Sequence, residues 1–178
     1  MIGFLRCVGL LNAAIWFGAA IFFTFAAAPA AFSQDMRDLL GQQYYPYFSG
    51  AIAQILIARY FRLQMVCGVV ALLHLAGERL YFGKSADKLR LGLLSGLLAI
   101  SLAGSLWLQP MLKQLHHTKY AVGTAPGDRE RASQSFRAWH GASQAANLLM
   151  LAGLAIYLWR VANSAEPARF VSSAKFRS

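Results

Sequence analysis

Residues 7–34, 63–77, 91–112 and 138–159 contain no Asp, Glu, Lys or Arg, and three of these four stretches are 22 residues or longer. About 20 mainly apolar residues carry a helix across the roughly 30 Å of a bilayer's hydrocarbon layer. The remaining stretch, between Arg62 and Glu78, is shorter, but Tyr60-Phe61 and Leu80-Tyr81-Phe82 extend it on both sides. The pattern predicts an all-α, membrane-embedded four-helix bundle with spans at about 4–28, 60–82, 91–112 and 138–159. Residues 1–162 then form one transmembrane domain, and 163–178 a short basic tail.

The polar connections refine this outline. Pro29 is placed to end or kink the first span. Residues 33–50 read as polar and turn-rich, and Ser49 is a candidate cap for a short interfacial helix, about 49–59, ahead of the second span. Starting that span at Ala51 instead would put Arg59 and Arg62 inside the membrane, at about 2.5–3.5 kcal/mol each on insertion scales. The interfacial register avoids that cost. Gly83 to Lys88 reads as a tight polar turn, and His116-His117 fall in a longer loop. Asp128 is a candidate cap for a helical lead-in, 129–137, to the fourth span. Tyr60, Phe61, Trp107 and Trp139 are predicted to mark one membrane edge, and Tyr81, Phe82, Tyr157 and Trp159 the other. Gly92, Gly96 and Gly104, with Gly141 and Ala145, repeat at spacings that let helices approach closely within the bundle.

With 57% hydrophobic and 13% charged residues and a mean hydropathy of +0.44, the chain falls outside the soluble globular class. Its net charge of +10 is scattered among span flanks without a basic stripe, so nucleic acid is not an expected partner. The expected partners are the lipid bilayer and, within it, other membrane subunits or a second copy. Cys7 and Cys67 lie in apolar stretches and read as small buried hydrophobes. The first apolar stretch is too long for a secretory signal and reads as an uncleaved span. Basic residues divide almost evenly between the two sides; the compact, densely basic middle loop favours both termini in the cytoplasm.

Function should reside in the few polar groups inside the spans: Asn12, His74, Ser101, Ser105, His140, Ser143, Gln144 and Asn147. At 1.5 Å per residue from the flanking charges, Asn12, His74, Ser101 and Asn147 are predicted near one mid-membrane level, as a shared buried network. The plain reading is hydrogen bonding that fixes helix register. The sharper one is a binding or proton-relay site on His74, with Glu78 one turn further on. Haem is disfavoured, because His74 lies roughly 18 Å deep and His140 only roughly 4–5 Å. No metal-ligand spacing, phosphate loop, nucleophile motif or paired catalytic carboxylates appears. The pattern therefore implies no cofactor and speaks against an enzyme.

The run Phe136-Arg137-Ala138-Trp139-His140-Gly141-Ala142-Ser143-Gln144-Ala145-Ala146-Asn147 resembles the aromatic-His-x-x-Ser-x-x-x-Asn signature of the transmembrane protein 205-like family. Trp16, Gly18, Thr24-Phe25, Pro29 and Phe32 are similar to its first-span pattern. Its Pro-x-Tyr-Phe-like element has two partial counterparts: Arg59-Tyr60-Phe61, which lacks the proline, and Pro46-Tyr47-Phe48, which lies further upstream. The resemblance covers about residues 1–160 and implies a four-span integral membrane protein without an assigned catalytic activity. It places His140, Ser143 and Asn147 on one helix stripe facing the bundle interior. The leading expectation is a non-catalytic binding, accessory or resistance-type protein. The alternatives are a proton- or solute-handling transporter using His74 and Glu78, and a subunit or anchor of a membrane redox complex.

Overall fold

The computed structural model describes residues 2–82 and 88–163, and helices account for nearly all of them. The turn predicted at 83–88 and the basic tail lie outside the described residues, apart from Lys88 and Asn163. Four rods are long and apolar enough to cross a membrane. The first, α1, comprises Ile2–Phe22, a π-helical turn at Phe23–Ala27 and Ala28–Ala30. The second, α2, is Gln34–Phe82. The third, α3, comprises Lys88–Ala103, a π-helical turn at Gly104–Leu108 and Gln109–Tyr120. The fourth, α4, is Pro126–Ala162.

Both π turns end two residues before a proline, Pro29 and Pro110. A proline inside a helix lacks the amide for the carbonyl four residues back, and its ring crowds that carbonyl. Widening the preceding turn relieves the conflict. The amide of Ala28 reaches back five residues to the Phe23 carbonyl, and that of Gln109 to Gly104. Neither helix is broken at its proline, so Pro29 acts one turn earlier than a simple stop signal would.

Outside the apolar stretches the helices run further than their polarity predicts. Residues 34–50 are helical rather than turn-rich, starting at Ser33, whose Oγ accepts the Met36 amide (3.2 Å). The one non-helical point is Gly41, at φ 72°, where the chain kinks. The helix predicted over 49–59 is present but continues into the second span without a break, and Ser49 is buried inside it rather than capping it. The loop expected around His116 is helix to Tyr120. The chain reverses only at Gly123 (φ 88°), and α4 starts at Pro126, with Asp128 in its first turn rather than at its cap. All four rods thus exceed the hydrocarbon thickness. At 1.5 Å per residue, α3 is roughly 50 Å long and α4 roughly 55 Å.

Neighbouring rods run antiparallel, and their contacts fix the register. Along α1 and α2, Leu5 meets His74, Asn12 meets Cys67, Trp16 meets Gln64 and Phe23 stacks on Tyr60. Along α2 and α3, Phe61 lies over Gly104, Gly68 against Leu98, and Glu78 beside Arg90. Asn147 of α4 is level with Tyr60, and Met150 with Ser101. The core between them is Trp16, Leu94, Leu97, Met150, Leu154 and Tyr157. Tyr60 and Tyr157 are therefore core residues, not edge markers. Of the cysteines, only Cys67 is buried.

The small-residue spacing is used only in part. Gly104 receives the Phe61 ring, whereas Gly92, Gly96 and Gly141 face open space. A close approach outside that spacing occurs at Gly68, where an added Cβ would clash with Leu98 and lie 3.3 Å from Trp16. Gly68→Leu should therefore lower stability by roughly 1–3 kcal/mol, while Gly92→Leu stays within about 0.5 kcal/mol of the parent. SDS-driven unfolding in mixed micelles distinguishes the two, and equal effects would contradict this packing.

Candidate functional site

The polar residues predicted to share one level are distributed over three levels. Tyr60, Cys67 and His74 mark them along α2, seven residues or roughly 10 Å apart. At the first, the Tyr60 hydroxyl donates to Asn147 Oδ1 (3.2 Å), and Asn147 Nδ2 donates to Thr24 Oγ1 (2.8 Å). Thr24 donates in turn to the Ala20 carbonyl (2.7 Å). One level further, Asn12 Nδ2 donates to the Cys67 carbonyl (3.0 Å). Between these levels, the Trp16 indole donates to Gln64 Oε1. Ser101 bonds within its own helix to the Leu97 carbonyl and also touches Met150 Sδ. The predicted network does not assemble because Arg62 and Arg137 are not level with each other. Asn147, measured from Arg137, is in fact beside Tyr60.

At the third level, His74 Nε2 lies 2.9 Å from the Leu5 carbonyl, and its ring closes on Gly9. Glu78 is 3.8 Å from the same nitrogen, but its other oxygen is paired at 2.9 Å with Arg90, whose side chain is only 8% exposed. Sequence reasoning brings His74 and Glu78 together and misses Arg90, which in sequence is simply the charge that precedes the third span. The signal that could have found it is the turn between α2 and α3: an antiparallel return places Arg90 across from Glu78. These three residues join the ends of α2 and α3 to the start of α1.

His140, Ser143 and Asn147 do lie on one side of α4, all half-buried, but they do not act together. Ser143 donates to the His140 carbonyl (2.7 Å), Gln144 Nε2 is 3.3 Å from His140 Nε2, and the His140 ring stacks on Phe136. Only Asn147 reaches across the bundle. His74 and His140 are at opposite ends of it, and the described residues contain no cluster of three metal-ligating side chains.

A second cluster, which sequence reasoning misses, lies in the extension beyond the apolar run of α3. His116, which its polarity assigns to a solvated loop, is buried against Gly50 and surrounded by Tyr47, Tyr120 and Phe136, at ring-centroid distances of 5.0–6.1 Å. His117 faces outward. Burial, followed by the nearby Lys119 charge, holds the His116 imidazole below the usual histidine range. An unfolded chain takes up this proton near pH 6.5, the folded one only below it, so stability rises with pH through that window. Detergent-solubilised protein should thus lose stability as pH falls below about 6.5, and His116→Phe should flatten that slope. An unchanged slope would place the acid sensitivity elsewhere.

Glu78 and Arg90 should be strongly coupled. Glu78→Gln alone leaves a buried guanidinium uncompensated, so Glu78→Gln with Arg90→Met should be less destabilising than the single change. A double-mutant cycle on unfolding reads this, and additive effects would argue against the pair.

No curated protein and no solved structure matches this chain. A family model described as a domain of unknown function (DUF4149) matches residues 11–121, from Leu11 in α1 through the end of α3. The match takes in Asn12, Trp16, Thr24, Tyr60, Gln64 and His74, the residues that set the register of the first two rods, and the chain belongs to this DUF4149 family.

Proposed function

We propose that this protein is a non-catalytic accessory or binding component of a membrane, whose outer surface rather than its interior carries the function. The observation behind this reading is the filled middle of the bundle. Trp16, Leu94 and Leu154 are each 0% exposed there, with Met150 beside them and the indole of Trp16 bonded to Gln64. Large buried side chains thus occupy the space between the helices that a passing solute would need. The similarity of Trp16, Thr24, His140, Ser143 and Asn147 to the transmembrane protein 205-like pattern fits such a role, resistance-type proteins included. The protein is read as residing in an inner membrane, and its basic middle loop supports both termini being cytoplasmic.

A proton- or solute-handling reading has one observation in its favour, the 3.8 Å approach of His74 to Glu78. Against it, Arg90 engages the carboxylate more closely, and the same histidine nitrogen is already bonded to Leu5. A relay needs a carboxylate free to face the imidazole, and here the Arg90 guanidinium occupies it. Vesicles reconstituted with the protein should show no more proton leak under a pH gradient than empty vesicles, with or without His74→Ala. A leak that His74→Ala abolishes in a folded protein would overturn the accessory reading.

A further inference from the structure

The helix register carries a consequence for Arg59 and Arg62. Trp16, Ser101 and Leu148 mark the middle of the spans predicted at 4–28, 91–112 and 138–159. Trp16 is bonded to Gln64. Ser101 lies between the contacts Leu98–Gly68 and Gly104–Phe61, and Leu148 follows the residue bonded to Tyr60. All three midpoints thus converge on α2 within about a turn of Gln64. A bilayer that covers those three runs covers α2 from about Ala51 to Gly77 and places Arg62 roughly 3 Å, and Arg59 roughly 8 Å, from its middle. This is the register with the second span starting near Ala51.

Both arginines point outward. Ile55, Arg59, Arg62, Val66, Val69 and Leu73 form one exposed stripe along α2, the face opposite Tyr60, Gln64, Cys67 and Ala71. Apolar residues above and below are what lipid or another transmembrane helix requires. Two like charges one turn apart in their midst repel each other and need an anion. Among the described residues neither arginine has an ion-pair or hydrogen-bond partner. The described carboxylates Asp35, Asp38, Glu78, Asp128 and Glu130 all lie towards the ends of the rods, so a second copy offers none of them at this depth. Arginines near helix ends extend to headgroup phosphates, but the middle of the hydrocarbon layer is the point farthest from both headgroup layers.

Building on the accessory reading above, we propose that the outer face of α2 docks a transmembrane helix of a partner protein carrying an aspartate or glutamate near mid-membrane. Arg59 and Arg62 clasp that carboxylate, Arg62 with the planar fork suited to bidentate pairing. Ile55, Val66, Val69 and Leu73 supply the apolar contact on either side. Such a site selects a partner by the depth of one charge.

The test uses the full chain in phosphatidylcholine vesicles and, as probe, a synthetic Leu/Ala transmembrane helix with one central Glu; its twin carries Gln. Energy transfer between labelled chain and helix should show the Glu helix binding about tenfold more tightly than the Gln helix. Arg59→Leu with Arg62→Leu should remove that preference, with helix content checked by circular dichroism; Arg59→Gln with Arg62→Gln serves if the leucine variant does not fold. A spin label on Val66→Cys should report mid-membrane depth. Equal binding of the two helices, a preference that survives loss of both arginines, or a label at headgroup depth overturns the proposal. A Glu preference erased by adding phosphatidylglycerol also overturns it, identifying lipid phosphate as the occupant. Failure here leaves the filled core untouched, whereas a His74-dependent proton leak would remove the accessory reading without moving Arg62.

Discussion

Hydrocarbon offers no hydrogen bonds, so every polar side chain inside this bundle must find its partner on the protein. That requirement fixes the structure more tightly than apolar packing does, because lipid tails solvate leucine as well as another leucine would. Asn12 reaches the Cys67 carbonyl, Trp16 reaches Gln64, and Asn147 joins Tyr60 to Thr24. Each bond contributes modestly, about 0.6 kcal/mol on average in membranes, yet each has one geometry. Together they set how far α1 and α4 slide along α2 and which face of each rod turns inward.

The same constraint accounts for the π turns. Thr24 sits in the widened turn before Pro29, and Phe61 packs on Gly104, the first residue of the turn before Pro110. A proline that frees a carbonyl in hydrocarbon is tolerated only if the backbone readjusts. Both readjustments fall at the levels of Tyr60 and Phe61, where the helices exchange their most specific contacts. Local backbone chemistry and long-range pairing therefore meet at one layer of the bundle.

Three rods were legible because a charge-free run of 22 residues or more matches the thickness of hydrocarbon, and the second because apolar and aromatic residues extend its 15-residue run. Their ends were not, because loss of hydrophobicity reports the edge of the lipid rather than the end of the helix. Residues 34–48 and 113–120 are polar enough to read as turns and loops, and 49–59 and 129–137 as short separate helices, yet all are continuous with the rods and pack around His116. The candidate site was legible residue by residue but not as an assembly. Asn12, His74 and Asn147 are internal, as their polarity demanded, but flanking charges gave the wrong common zero for their depths. Glu78 found its principal partner in Arg90, a residue whose place beside it only the antiparallel return reveals.

The outward arginines follow from the inward bonds. On a helix turning 3.6 residues per revolution, directing Tyr60, Gln64 and Cys67 into the core leaves Arg59, Arg62 and Val66 on the other side. Rotating α2 to shelter the arginines would pull Gln64 from Trp16 and Tyr60 from Asn147. Sliding it seven residues would keep the face and bring the arginines to a membrane edge. It would also set Trp16 against Ala71 and leave Gln64 among the rings near Phe23, stranding two polar groups in hydrocarbon. The exposed charges are therefore not a local accident of α2 but the remainder left on its other face by the bonds to Trp16 and Asn147. The carboxylate of the proposed partner has the opposite sign and would reach that remainder at its depth without disturbing the bonds that created it.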